Sequence, residues 1–321
     1  MSREKKIVLI AIIILLLIGI VIAISLKDRK IDKKGDKLNI VTTTFSCYDF
    51  SRQIVGDKAN VNFLLGPGVE AHSYDPSAQD LIKIQNADVF IYIGGEMERW
   101  VEKILEIDTI DLSKVKLIKV TDCVETIEET DVDGAEPEEK EEAHGAFDEH
   151  IWASPENAKK MVKYLSEKFA ELDNNNKAEY EKNAESYIEK IADLQDKIKE
   201  IVDNKKRDRL VFGDKMPMQY FLNEYGLTAS AAFNGCSSDA EPSVKTITYL
   251  VNKVKEENIP VVLYIELSTG KTAKSIANET GAKALQIQTL HNISKQDFEK
   301  GESYVTLMTR NLEVLREALN D

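Results

Sequence analysis

GPGVEAHSYDPSAQDLIKIQNADVFIYIG, residues 66–94, is the stretch from which the fold can be read. A short apolar run at 61–65 precedes it and reads as a strand. Asp75 is placed to cap a helix with Pro76 at its first position, where a missing N–H costs nothing. Ala78, Leu81 and Ile82 fall at helical spacing and are expected to face inward, and residues 89–93 form a buried strand. The unit is strand, loop, helix, strand, with His72 in the loop at the carboxyl end of the first strand. Ligands of open parallel sheets bind at that edge. A single loop histidine is ordinarily just a polar surface residue. The functional reading depends on other ligand-type residues recurring at equivalent places.

Working outward, residues 38–45 form a β-branched strand, a helix begins near Asp49, and residues 115–120 form a fourth strand after the helical segment 100–106. Strands separated by helical patterns imply a parallel sheet covered on both faces. The pattern then stops. Residues 125–149 hold twelve acidic residues against one lysine, and His144 lies among them. Such a segment is expected to be a solvated mobile loop, with loose gathering of cations as a weaker role. His150 follows at the mouth of a helix capped by Ser154 with Pro155 at its first position.

Residues 177–203 carry Tyr180, Ala184, Tyr187, Ile191, Leu194 and Ile198 as a helical stripe with a charged opposite face. No second helix of that length is available for a coiled coil, so this one is read as a bridge between two lobes. From Arg209 the first theme repeats, with strands at 210–213, 227–233, 261–266 and 282–290, each followed by a helix. Asp214, the loop at 235–237, Glu266 and His291 then fall at carboxyl ends of the second set. The expected fold is α/β, with two lobes, each a four-stranded parallel sheet flanked by helices, joined by one long rigid helix. The boundaries are an N-terminal segment and stalk at 1–37, a first lobe at 38–173, the connecting helix at 174–205 and a second lobe at 206–321.

A chain of 321 residues can support two domains, each with its own core. The net charge of −14, most of it in the acidic segment, argues against nucleic acid and is compatible with cations. Residues 7–26 are an uncharged aliphatic run of membrane-spanning length, read as an uncleaved transmembrane anchor with the rest outside the cell. A cleaved signal peptide is the alternative, and no cysteine follows the run to carry a lipid. Cys47, Cys123 and Cys236 lack Cys-x-x-Cys spacing, which disfavours a zinc finger; two of them could pair, leaving one thiol over.

His72, His150, Asp214 and His291 come from four loops at one edge of the two sheets. Three imidazoles and one carboxylate suit a divalent transition metal, zinc best. Several of these stretches also resemble the zinc/manganese solute-binding proteins of bacterial and archaeal ABC importers. The markers are PGVEAHSYDPSAQD at 67–80, IQNADVFIYIGG at 84–95, DEHIWASPENA at 148–158 and YVTLMTRNLEVL at 304–315. The resemblance covers nearly everything from Leu38 onward and places His72 and His150 on the first two metal ligands of that family. It implies two lobes joined by a rigid helix and an acidic loop before the second ligand. Its third ligand is usually a His or Glu one residue nearer Tyr220 than Asp214, and its fourth is usually acidic where this chain has His291. Asp214 is the expected carboxylate, with Glu266 as the alternative or as a support of the cleft.

The implied function is extracellular capture of Zn2+, with Mn2+ or Fe2+ as alternatives, and delivery by a monomer to an ABC permease in the membrane. A closed four-ligand site would leave no position for catalysis. The rival readings are a metal-dependent hydrolase, with Glu266 or Glu70 as general base, and a surface adhesion protein.

Overall fold

The computed structural model describes residues 37–107, 110–136, 147–235 and 241–321. The expected anchor at 7–26, together with His144 and Cys236, lies outside the described residues. Among the described residues, no helix is long and apolar enough to cross a membrane.

Strands β1 (Leu38–Thr42), β2 (Ala59–Phe63), β3 (Val89–Tyr92) and β4 (Lys116–Lys119) make one sheet in the order β2-β1-β3-β4. Every pairing is parallel, with Ile40 beside Val61 on one side and Val89 on the other. Strands β5 (Arg209–Lys215), β6 (Thr228–Phe233), β7 (Val261–Ile265) and β8 (Lys283–Ile287) repeat the pattern as β6-β5-β7-β8, again all parallel. In each sheet the chain steps to one edge and then returns past the first strand to the other side. That reversal opens a crevice at the carboxyl ends of the central strands.

Local capping chemistry moves two helix starts from their expected places. Thr44 accepts from the backbone N–H of Cys47, so α1 (Phe45–Val55) begins where the strand was expected to continue. Helix α2 (Ala78–Gln85) is capped by Ser77, whose side chain and that of Asp80 satisfy each other's backbone donors. Asp75 and Pro76 therefore precede the helix and do not start it. Along this helix Ile84 is buried, whereas Ile82, expected to face inward, is 56% exposed.

Helix α3 (Arg99–Leu105) lies in the first lobe, and α4 (Pro155–Leu172) starts on the Ser154 cap as expected. Helix α5 (Lys177–Asp203) then runs for 27 residues and buries the whole apolar stripe. In the second lobe α6 (Gln219–Tyr225), α7 (Val244–Glu256) and α8 (Lys271–Thr280) follow, then α9 (Lys295–Glu299) and α10 (Tyr304–Asn320). Because α5 packs on α4, α1 and α10, residues of both sheets share one large continuous core, and a second, smaller cluster that includes Val211, Val262, Leu250 and Ile276 stands apart from it in the second half of the chain. Asp49 ties that junction together. Its buried carboxylate accepts from Arg52 Nε at 2.8 Å, the Tyr187 hydroxyl at 2.6 Å and the Tyr304 backbone N–H at 2.8 Å.

The acidic segment departs furthest from expectation. Its described part is a strap laid against the second lobe. Asp133 bridges to Ser230 at the edge of β6, and its carboxylate accepts from Ser230 Oγ, Arg209 Nη1 and the Tyr249 hydroxyl. Val132 N–H donates to Asn234 Oδ1 at 2.9 Å, and Glu136 N–H donates to the Ala232 carbonyl at 3.0 Å. Specific cations and an unpaired strand edge thus order residues that composition alone marks as solvated. The strap adds to the contacts that join the two halves of the chain.

Candidate metal centre

His72 stands in the β2–α2 loop, His150 just before α4 and His291 in the loop after β8. One ligand atom from each lies within 4.8 Å of the others. Ring centroids are separated by 6.3 Å for His72 and His150, 5.2 Å for His72 and His291, and 5.4 Å for His150 and His291. All three Nε2 atoms are buried and lack a hydrogen-bond partner. Leaving one such atom buried and unbonded costs about 1–3 kcal/mol. Three orphans converging on one point form a set of lone pairs arranged for a Lewis acid.

Each imidazole is held by its surroundings. His150 is 1% exposed, and its Nδ1 lies 2.8 Å from Asp148 Oδ1, which also accepts the His150 backbone N–H at 2.8 Å. That contact puts the proton on Nδ1 and leaves Nε2 as the free donor, the usual arrangement behind a metal-bound histidine. Burial opposes a charged His150, but the Asp148 carboxylate outweighs it and raises the pKa above its ordinary value. Tyr220 fixes the same loop by donating to the Asp148 carbonyl at 2.7 Å while accepting from Ile127 of the strap. Gly235 packs against the other side of the ring, where an added Cβ would sit 3.4 Å from His150 Cε1.

Glu266 organises the His291 loop. Its carboxylate accepts from Thr289 N–H at 2.7 Å, Thr289 Oγ1 at 2.8 Å and His291 N–H at 3.0 Å. Leu290 and Leu267, which flank these residues, sit at positive φ of 61° and 67°. Strain of that kind, about 1–3 kcal/mol each, persists where surrounding contacts over-determine the backbone. Asn292 stitches this loop to that of His72 by accepting from Gly68 N–H at 3.3 Å and donating to the Gly66 and Val69 carbonyls. Trp152, fully buried, lies 5.4 Å from His150 and 6.2 Å from His291, and its Nε1–H donates to Thr289 O. Burial, followed by the charges of the neighbouring histidines, holds His72 down to about 3, and burial likewise holds His291 well below its ordinary value. Both are therefore neutral and ready to donate.

Asp214, the expected carboxylate, is not part of the group. The pairing of β5 with β6 slips between Phe212 and Lys215, so β5 carries an extra residue there. Such a bulge re-aims side chains. Asp214 Oδ1 accepts from the Lys215 backbone N–H at 2.9 Å, and Lys215 is the residue buried at the strand's end. Glu266 also stays outside the group, so its part is to support the loop. Glu70, weighed from sequence only as a general base, brings a carboxylate close to one of the unbonded Nε2 atoms. Its Oε1 lies 3.7 Å from His291 Nε2 and accepts from His72 N–H at 3.3 Å. Its position two residues before His72 was the signal that could have found it. The described cysteines take no part: Cys47 and Cys123 are both free thiols, the first pushed up by burial and the second up to about 11 for the same reason.

The family described as "ZnuA: Zinc-uptake complex component A periplasmic" is matched over residues 40–318. The chain is 36% identical over 292 residues to the zinc-binding lipoprotein AdcA of Streptococcus pneumoniae, covering 89% of this chain but only 56% of that protein. It is 34% identical over 294 residues to the high-affinity zinc uptake system protein ZnuA of Bacillus subtilis, covering 90% of this chain and 89% of the relative. The crystal structure of the Zn(II)-bound ZnuA-like domain of S. pneumoniae AdcA superposes with a TM-score of 0.74 at 35% identity, over 89% of this chain and all of that one.

Proposed function

The chain belongs to the ZnuA family of zinc-uptake components, and from that premise we propose that it captures Zn2+ outside the cell and passes it to an ABC permease in the membrane. The observation that carries this reading is the convergence of three buried, unbonded imidazole Nε2 atoms from three loops. His72, His150 and His291 are the nitrogen ligands. Glu70, two residues from His72 and 3.7 Å from His291 Nε2, is placed to complete a tetrahedral set by a small side-chain movement.

Donor chemistry favours zinc over the alternatives. Mn2+ prefers oxygen-rich surroundings, and Fe2+ binds a given nitrogen site more weakly than Zn2+. A dication also gains from the carboxylates around the ring cluster. Among the described residues three histidines converge, which leaves the fourth position to be filled. Relatives named for zinc binding and uptake, and the Glu70 carboxylate standing beside that position, support a binding role over a catalytic one. Monomeric action and location on the extracellular face belong to the same proposal. The adhesion reading has no feature of the site in its favour.

Competition titration of the full chain with a chromophoric zinc chelator tests the proposal. One tight Zn2+ per chain, lost in His72→Ala and His150→Ala, is the expected result. Zinc binding that survives both substitutions would place the site elsewhere.

A further inference from the structure

A cavity of about 30 Å³ lies beside the histidine cluster, with Val69 and Glu70 on one wall and Leu267, His291 and Asn292 on another. That volume holds about two waters. At its inner end is His291, whose Nε2 is buried without a hydrogen-bond partner and lies 3.7 Å from Glu70 Oε1. At its outer end is Leu267, 49% exposed, an apolar side chain shared between the cavity and water. The Leu267 backbone is held at φ 67° beside Glu266, whose carboxylate is fixed by the Thr289 and His291 N–H groups. Other sides of the cluster are covered by protein. Asp148 stands behind His150 Nδ1, the Trp152 ring lies 5.4 Å from that of His150 and 6.2 Å from that of His291, and Gly235 packs on His150. His72 is half-buried, but its exposed atoms do not include Nε2. The cavity thus joins a ligand atom to the surface, at a rim where a carboxylate and an apolar side chain stand on opposite walls.

We propose that this cavity is the passage by which the ion reaches and leaves the site, and that Leu267 at its mouth sets the rate of both movements without setting the affinity. The inference rests on the zinc-capture reading above. A space of this volume does not admit a fully hydrated ion, so water is shed at the mouth. Stripping a dication in apolar surroundings is costly unless another donor takes the place of the water. Glu70 offers that donor on the wall facing Leu267. Carboxylate oxygen and imidazole nitrogen both serve zinc, so passage from Glu70 to His291 exchanges one ligand for the next and never leaves the ion bare. Leu267 brings no donor to this sequence. Its bulk narrows the opening that the ion crosses, which acts on the barrier and leaves the free and bound states alone. A change confined to the barrier alters capture and release by the same factor.

The test compares the full chain with Leu267→Trp, which fills the mouth, and Leu267→Ala, which widens it. Both replacements carry a Cβ, so the positive φ costs them about what it costs leucine. Zinc capture is followed by stopped flow, release by rapid mixing with excess chelator, and affinity by chelator competition at equilibrium. Leu267→Trp should slow capture and release alike by at least about tenfold, and Leu267→Ala should speed both, with the dissociation constant within about threefold of the parent in each. Leu267→Phe serves in place of tryptophan if that variant does not fold. Unchanged rates in both variants would overturn the proposal. So would a change in release alone, matched by a change in affinity, because Leu267 would then act on the bound state. A parent chain that binds no zinc would refute the zinc-capture reading itself, and the proposal with it.

Discussion

Asp148→Asn isolates the electrostatic part of the support behind His150. The asparagine amide oxygen can still accept from both His150 Nδ1 and His150 N–H, each now at 2.8 Å from the carboxylate, so geometry is preserved while the charge is removed. Losing such a partner behind a metal-bound histidine costs about 10–100-fold in affinity, or about 1.4–2.7 kcal/mol. Asp148 is only 4% exposed, so little water replaces the lost charge, and the upper part of that range is expected. The pH dependence supplies a second signature. Asp148 is what raises His150 above its ordinary pKa against the effect of burial, so in the parent a falling pH protonates His150 first and the proton competes with metal. In the variant that competition begins at lower pH. Chelator competition should therefore show a large deficit near neutrality that narrows in mildly acidic buffer. A neutral-pH affinity within about twofold of the parent, where RT ln 2 is well under 1 kcal/mol, would refute the idea that the carboxylate tunes this ligand.

Other expectations follow from the same geometry. His291→Ala should lower zinc affinity by at least about a hundredfold, whereas Asp214→Ala should stay within about threefold, both read by zinc titration; the reverse order would restore Asp214 as a ligand. Metal-free protein should lose stability as pH falls from 6.5 toward about 3, because the unfolded chain accepts protons that half-buried His72 and buried His291 refuse. Denaturant melts of metal-free His72→Leu across that window should show a shallower slope, and an identical slope would contradict the assignment. Solution scattering of residues 37–321 should give nearly the same radius of gyration with and without zinc. Helix α5 has no Gly or Pro at which to kink, and the strap and the Asp49 and Asn292 contacts also join the halves; a large compaction would refute the rigid connection.

The architecture was legible because alternating β-branched strands and amphipathic helices repeat twice, and because the stripe from Tyr180 to Ile198 can only be a long buried helix face. Element ends were less so, since a Thr44 or Ser77 cap depends on one side chain reaching one backbone donor. The three histidines could be singled out together because each is a donor in a loop at a sheet's carboxyl edge, and the structure brings them together. Asp214 was misplaced because a single extra residue in β5 exchanges which side chain turns inward, and no spacing rule reveals a bulge. The strap was hidden by its own composition: acidity predicts solvation unless Arg209, Tyr249 and an open strand edge are known to lie opposite.

In the proposed site one zinc ion is held by His72, His150 and His291 together. Zinc K-edge absorption spectroscopy on the full chain loaded with one equivalent tests it most directly. Binding by these three side chains gives a shell of light scatterers at about 2.0 Å with the outer-shell pattern of three imidazoles and no sulfur. A sulfur shell near about 2.3 Å, or an oxygen shell with at most one imidazole, would contradict it.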